Sequence, residues 1–379
     1  MNIMFYYESL NLGGQQTQNY NLIKRLKKQG HDLHHTYLYG DVLTEKMAEY
    51  AKIQQFPMIL GPREYLRKPW KVWSIVSKLV KYGKSNKIDL IISGSGLGSL
   101  MSGIAARILG IKHYRLIGCS LVQVERTLYK IYRWIRIDSV IDGYFGWPGV
   151  FAELEQKGVP LTKCHELTNA VDSDVFFPID EDQKAQWRNK LDIKDELVIG
   201  WIGRIATNMQ VGNTVALGKE LLDRGFKDFK MLLVGGGEWY EGIQDLIRDH
   251  GLTDHVVLTN WVPMEDVNSY INIMDIVPLL EEDPHGGSIV REAMAVGKVA
   301  LSVDGSSGSQ ARFMSGEHAV LVAPDDFLRK AADEVLKLAN DKNQMNIIGE
   351  HARRYAQKHM SFDTQVDIIL DTVRANGLA

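Results

Sequence analysis

Apolar residues along the chain fall into short continuous runs separated by stretches of helical period, and the runs end repeatedly in glycine. Asn2–Tyr7 predicts a strand, followed by a turn at Leu12-Gly13-Gly14 and a helix over about Gln15–Gln29. Gly30-His31 closes that helix, and Asp32–Leu38 predicts the next strand. Ile88–Ser93 is a buried strand ending in Gly94-Ser95-Gly96, with a helix to Ile108 and a strand near Lys112–Leu116. The second half predicts strands over Leu197–Ile202, Phe229–Val234, His255–Leu258, Ile276–Leu279, Lys298–Val303 and Ala319–Val322. Helices over Thr214–Arg224, Tyr240–His250 and Glu265–Ile271 separate them, another opens after Pro284, and a helical tail runs from Phe327. Continuous apolar strands alternating with helices are buried on both faces, which implies parallel, doubly wound sheets. The pattern restarts after Asn169–Pro178, a polar segment closed by proline, so the hinge is placed there. The expected domains are 1–172 with a returning C-terminal helix at about 361–379, and 173–360. Ligand is expected at the carboxyl ends of the strands, in the cleft between them.

Two domains also suit 379 residues, more than one hydrophobic core usually serves. No run approaches the ~18 apolar residues of a membrane span, and the N-terminus has no charged-then-apolar signal layout. Cys119 and Cys164 are too few for a disulfide framework and lack metal-site spacing; both are expected in the core. The near-neutral net charge hides an asymmetry. Residues 1–170 hold 23 Lys and Arg against 13 Asp and Glu, and the remainder holds 21 against 34. A basic first half is expected to face something anionic. Its densest stretch, residues 64–87, interleaves Arg67, Lys68, Lys71, Lys78, Lys81, Lys84 and Lys87 with Trp70, Trp73 and aliphatic residues. After Pro69 this predicts an amphipathic helix. Either it lies in an anionic membrane interface, or it packs its apolar stripe inward behind a solvated basic face. No recognition motif accompanies the basic residues, so nucleic acid is not expected as a partner.

The segment Pro284–Gly297, PHGGSIVREAMAVG, carries the clearest chemistry. A glycine pair opening a helix leaves N–H groups unpaired at the positive end of the helix dipole, a seat for a phosphate or diphosphate. Glu292, one to two turns in, can accept hydrogen bonds from ribose hydroxyls; otherwise it is a solvated surface residue. Gly235-Gly236-Gly237 after a strand is either a second such element or a bare turn. Neither Gly13-Gly14 nor Gly94-Ser95-Gly96 completes a GxGxxG with an acidic residue ~20 positions on, which disfavours a nicotinamide-dependent dehydrogenase.

Taken in order, these pieces resemble the retaining glycosyltransferases of family four, which have the two-domain GT-B fold. Gly13-Gly14 with Lys28-Gln29-Gly30-His31 is similar to that family's glycine loop and helix end. Asn169-Ala170-Val171-Asp172 through Phe177-Pro178 resembles its interdomain segment, with alanine in place of glycine. Gly203-Arg204, Val234–Glu238 and Glu292–Gly297 resemble its GR, VGxGxE and EAMAxG elements. The resemblance implies that Glu292 grips the ribose and Arg204 offsets diphosphate charge. It further implies that Gly203, Gly286, Gly287, Ser288 and Ile289 contact the donor and that Gly13 and Gly14 underlie the reacting centre. Two departures stand out. The family's first glutamate falls at Pro284, where Asp283 or His285 would have to substitute, and Ile205–Gly212 lacks the family's lysine.

The function so implied is retaining transfer of a sugar from a nucleoside-diphosphate sugar to a hydroxyl of a glycan or lipid-linked acceptor, in surface polysaccharide or glycolipid synthesis. No cofactor or metal is expected, since Arg204 and the helix entrance would stabilise the departing phosphate. The expected location is cytoplasmic, peripheral on the inner membrane face. The departures motivate an alternative: a catalytically inactive GT-B subunit that binds nucleotide sugar or glycan as a scaffold. A nucleotide-sugar epimerase would need acid and base groups in the cleft. His113, His165, His285 and His318 are scattered and are expected to be surface or capped residues.

Overall fold

In the computed structural model, residues 1–9, 14–39, 43–56, 69–94, 96–117, 137–167, 169–207, 211–280, 288–305 and 315–377 are described. They form two compact units: Met1–Ala170 with Phe362–Ala379, and Val171–Ser361. The first contains β1 (Asn2–Ser9), α1 (Gly14–Lys28), β2 (Asp32–Tyr39), α2 (Thr44–Ala48), β3 (Lys52–Gln55) and α3 (Pro69–Ser85). It continues through β4 (Leu90–Ser93), α4 (Gly96–Leu109), β5 (Lys112–Ile117), β6 (Gly143–Gly146), α5 (Pro148–Gln156) and β7 (Cys164–Glu166). The second contains α6 (Glu181–Lys190), β8 (Leu197–Ile202), α7 (Val211–Asp223), β9 (Phe229–Val234), α8 (Tyr240–Asp249), β10 (Val256–Leu258) and α9 (Val267–Asn272). β11 (Ile276–Leu279), α10 (Ser288–Ala295), β12 (Val299–Val303), β13 (Val320–Val322), α11 (Phe327–Asn340) and α12 (Lys342–His359) complete it. The last helix, α13 (Phe362–Ala375), belongs to the first unit.

Every pairing among the described strands is parallel, in the orders β3-β2-β1-β4-β5-β6-β7 and β10-β9-β8-β11-β12-β13. Period-2 side-chain alternation gives each central strand two apolar faces. Ile3, Phe5 and Tyr7 meet Leu22, Ile23 and Leu26 of α1 and Phe362, Val366 and Ile369 of α13. Met4 and Tyr6 point the other way, onto Ile75, Val76 and Leu79 of α3 and Met101 and Ala105 of α4. In the second sheet Ile199 and Trp201 pack with α7, α8 and α11, while Val198 packs with α9, α10 and α12. Two Rossmann-like units are therefore what the alternating pattern builds.

Local hydrogen bonds fix where the chain passes between the units. Gln18 on α1 clamps Ala170 from both sides: its Nε2 donates to the Ala170 carbonyl (2.8 Å) and its Oε1 accepts the Ala170 N–H (3.2 Å). One residue on, the Val171 N–H donates to the Met360 carbonyl at 2.8 Å, so the outgoing and returning strands run side by side. Ala170 is buried and outside the left-handed region, so this segment needs no glycine.

The helical tail consists of three helices, the last of them the returning C-terminal helix expected at about 361–379. Asp341 caps α12 by accepting the Gln344 N–H at 2.9 Å, and a second break at Met360–Ser361 precedes α13. Cys164 is half-buried at the edge strand β7 rather than in the core, its thiol 3.9 Å from the Pro160 carbonyl; Cys119 lies outside the described residues. His113 is buried and capped by hydrogen bonds. Its Nδ1 donates to the Val140 carbonyl (3.1 Å), which leaves Nε2 to accept from the Ser93 hydroxyl (2.8 Å), while Ser102 donates to the Gly98 carbonyl (2.7 Å).

Candidate active site

Each sheet has one place where the chain reverses its direction of winding, and in open parallel sheets that crevice is where ligands bind. In the second unit it lies between β8 and β11, joined through Ile199 and Ile276. The carboxyl end of β8 delivers Gly203-Arg204. The end of β11 leads into residues 281–287, so Glu281, Glu282, Asp283, Pro284, His285, Gly286 and Gly287 lie outside the described residues, and α10 follows. Topology thus brings Gly203, Arg204, Ser288, Ile289 and Glu292 to one edge of one sheet.

The Gly235–Gly237 turn is more than a bare turn, because Gly203–Ile205 lies on it. The Gly203 N–H donates to the Val234 carbonyl (3.0 Å), the Ile205 N–H to the Gly236 carbonyl (2.8 Å), and the Trp239 N–H to the Ile205 carbonyl (3.1 Å). A Cβ on Gly235 would stand 1.9 Å from the Gly203 oxygen, and one on Gly237 2.3 Å from the Ile205 oxygen. Absence of side chains is what lets the two backbones touch. The contact holds Arg204 on a fixed support, with its side chain exposed and in no ion pair among the described residues.

Helix α10 divides its residues by face. Ile289, Val290, Ala293, Met294 and Ala295 are buried. At 100° per residue Ser288, Arg291 and Glu292 share the other side with Ala295, which is buried there too. Gly297, at φ +80°, ends the helix: its N–H donates to Met294 (3.0 Å) and that of Lys298 to Ala293 (2.9 Å), the paired bonds of a glycine stop. Within the EAMAVG run, then, Ala293 and Met294 fill the core, Gly297 terminates, and Glu292 alone carries a polar side chain. Burial raises the Glu292 pKa, against the opposing pull of Arg291 and of the Ser288 hydroxyl that donates to it. Ile289 is a core residue whose backbone is all it can offer a ligand. A half-buried carboxylate held by one serine has lone pairs to spare for a pair of hydroxyls.

In the first unit the reversal lies between β1 and β4, joined through Ile3 and Leu90. Gly14 opens α1 there; Gly13 lies outside the described residues. Glu8, which no motif singles out, also occupies this edge. Burial pushes its carboxyl up to about 7, while the Gly98 N–H in the first turn of α4 pulls the other way. Its Oε1 is shielded with no hydrogen-bond partner. The nearby Ser93–His113–Ser102 cluster is closed and satisfied, with burial lowering His113 to about 4, so it is structural.

Helix α3 packs its apolar stripe inward, as one of its two expected readings has it. Ile75, Val76 and Leu79 pack inward, but Trp70 and Trp73 stand 64% and 60% exposed beside Lys71, Lys81 and Lys84. Arg67 and Lys68 lie outside the described residues. Among the described residues no helix is long and apolar enough to cross a membrane, and no group of three or more His, Cys, Asp and Glu clusters as a metal site would.

Two parallel-sheet units of Rossmann type thus make up the described chain, and at the reversal of the second Arg204 stands on a glycine bed while Glu292 is half-buried on α10. Residues 183–355 match the family described as Glycosyl transferases group 1. The second unit, which holds those residues, is thus similar to that family. The chain is 35% identical over 236 residues to the 2-deoxystreptamine glucosyltransferase of Streptomyces kanamyceticus, covering 58% of this chain and 60% of that protein. Over 283 residues it is 22% identical to the GDP-mannose-dependent alpha-(1-6)-phosphatidylinositol monomannoside mannosyltransferase of Mycobacterium tuberculosis, covering 73% and 71%. The fold matches that of Anabaena HepE in complex with UDP at TM-score 0.82 and 16% identity, over 99% of this chain and 100% of that one. The chain thus spans about three-fifths of the first relative's length and about seven-tenths of the second's.

Proposed function

We propose that the protein moves a sugar, with retention at the anomeric carbon, from a nucleoside-diphosphate sugar to a hydroxyl of a glycan or lipid-linked acceptor in polysaccharide or glycolipid synthesis. The observation that carries this reading is the second-sheet reversal, where Gly203-Arg204 and the Ser288–Glu292 face of α10 meet. Glu292 would accept the ribose hydroxyls, and Arg204 would offset charge on the leaving diphosphate. Backbone N–H groups of Gly286, Gly287, Ser288 and Ile289 would seat the phosphate, with Asp283 or His285 against the sugar. A phosphate at the entrance of α10 is favoured by ~0.3–1 kcal/mol from the dipole alone, and arginine–phosphate hydrogen bonds add to it without a resident metal. Gly13 and Gly14 would lie under the acceptor hydroxyl, whose proton passes to the departing phosphate.

The nucleotides that the relatives' names carry, UDP for the Anabaena protein and GDP-mannose for the mycobacterial one, define the donors to try first. The phosphatidylinositol mannoside of that second name supports a lipid-linked acceptor at the cytoplasmic membrane face. There Trp70 and Trp73 would enter the interface, and each nearby lysine would contribute on the order of 1 kcal/mol against anionic lipid. The test is a nucleotide-sugar panel read by binding calorimetry and by donor hydrolysis, with wild type and Glu292→Ala. Tight binding and slow hydrolysis that the variant loses support the enzyme. Binding without hydrolysis favours the scaffold that Pro284 and the cation-free Ile205–Gly212 stretch allow, and no binding at all sinks both.

A further inference from the structure

Arg291 precedes Glu292 and shares its side of α10, away from the buried Ile289, Val290, Ala293 and Met294. Its Nε is shut off from water and has no hydrogen-bond partner. Burial pulls its pKa down, and Glu292 pushes it back. That carboxylate is already engaged by Ser288, and among the described residues no ion pair joins it to Arg291. A half-buried guanidinium whose shielded Nε has a proton left over is an uncommon arrangement, because a buried donor without a partner is held at a loss until an acceptor completes it. At a ligand-binding edge of a sheet, an anion arriving from outside supplies what the fold withholds. The planar fork of arginine matches a phosphate in two parallel hydrogen bonds, which a lysine at the same place could not form. The need for a further cation is visible in the sequence too: after Arg204, the stretch Ile205–Gly212 carries none.

We propose that Arg291 is a second phosphate-binding residue of the donor site, donating from Nε and a terminal nitrogen to a diphosphate oxygen while Glu292 serves the ribose. The proposal rests on the donor site described above. It divides α10 into two neighbouring roles, one positive for the leaving group and one negative for the sugar of the nucleotide. Residue 291 would then set how strongly the site prefers a nucleoside diphosphate over its nucleoside.

The test is calorimetry on the full-length protein with UDP, GDP, inorganic pyrophosphate, uridine and guanosine, for wild type, Arg291→Met and Arg291→Lys. Arg291→Met is expected to weaken whichever nucleoside diphosphate binds by at least tenfold and to leave nucleoside affinity within twofold. Arg291→Lys, which keeps the charge but not the fork, is expected to recover only part of the diphosphate affinity. A merely structural arginine would move diphosphate and nucleoside together, so the ratio of the two affinities separates the roles even if Arg291→Met is less stable. An unchanged ratio in Arg291→Met overturns the assignment. Should wild type bind the diphosphate while both variants match it, Arg291 falls and the donor site stands. Should wild type bind none of the nucleotides, the donor site falls as well.

Discussion

Replacing Gly235 with alanine tests the support under Arg204. The new Cβ would stand 1.9 Å from the Gly203 carbonyl oxygen, far inside the 3.0 Å that real Cβ contacts respect, and both partners are backbone. Gly235 also holds φ +138°, where a side chain is strained whatever the space. Backbone strain of this kind costs ~1–3 kcal/mol and forced overpacking a further ~1–3 kcal/mol, so roughly 2–6 kcal/mol is at stake. For a unit this size, each kcal/mol lowers Tm by about 2–4 °C, which puts the loss on the order of 10 °C. The neighbouring Gly236 is the control. Its Cβ would meet only the side-chain ends of Asn260 (2.3 Å) and Trp261 (2.7 Å), and Trp261 is 65% exposed and free to swing. Gly236→Ala should cost ~1 kcal/mol or less. Thermal unfolding of the full chain, with nucleotide titration beside it, reads both. Gly235→Ala should lose stability and nucleotide affinity together, because Gly203-Arg204 must shift. If Gly235→Ala melts within 2 °C of wild type, or Gly236→Ala loses as much, the account of this turn is wrong.

The first unit should have a stability maximum near neutral pH, set by opposing groups. Burial lowers His35 to about 3 and His113 to about 4, against ordinary values near 6.5. Their contribution is complete above about pH 6.5 and declines as pH falls toward the folded values, each by up to ~1.4 kcal/mol per pH unit. His35→Phe should roughly halve the acid-side slope of urea stability between pH 6 and 4.5; an unaltered slope contradicts this. Glu8, raised to about 7 from an ordinary 4.5, works the other way, its contribution complete below pH 4.5 and lost as pH rises through 7. Glu8→Gln should therefore gain up to ~3 kcal/mol over wild type at pH 8 and nothing at pH 4.5, and equal stabilities at pH 8 would refute the raised carboxyl. Trp70→Ser with Trp73→Ser should leave Tm unchanged, since both indoles are exposed, and should abolish sedimentation with vesicles rich in phosphatidylglycerol; retained sedimentation removes α3 from the membrane contact.

Strand positions were legible where burial on both faces forces an uninterrupted apolar run, and Leu197–Ile202, Phe229–Val234 and Ile276–Leu279 fall where the pattern puts them. The edge strands of the first sheet were not. β3 is KIQQ and β7 is CHE, neither with a buried residue, so neither leaves a hydrophobic signature. Helix α6 has no apolar stripe at all and is marked instead by Asp180, which accepts the Gln183 N–H at 2.8 Å. The predicted helix over Glu265–Ile271 begins as a 3-10 turn at Met264–Asp266 and becomes α-helical only at Val267. At the site, Arg204 and Glu292 could be picked out because glycine turns announce them. Glu8 and Arg291 could not, since a polar residue at a strand end or in an amphipathic helix looks solvated until the topology shows what covers it. The Gly235–Gly237 turn was ambiguous for a related reason: its partner, Gly203–Ile205, stands some thirty residues away in the chain.

Hydrogen–deuterium exchange of the full-length protein, with and without saturating UDP or GDP, tests the donor site most directly. Slowed exchange confined to the segments around residues 203–206 and 286–292 is the expected result, and it should vanish in Glu292→Ala. Protection confined to the first unit, or none at a nucleotide concentration that calorimetry shows to be saturating, would contradict a donor site at the β8–β11 reversal.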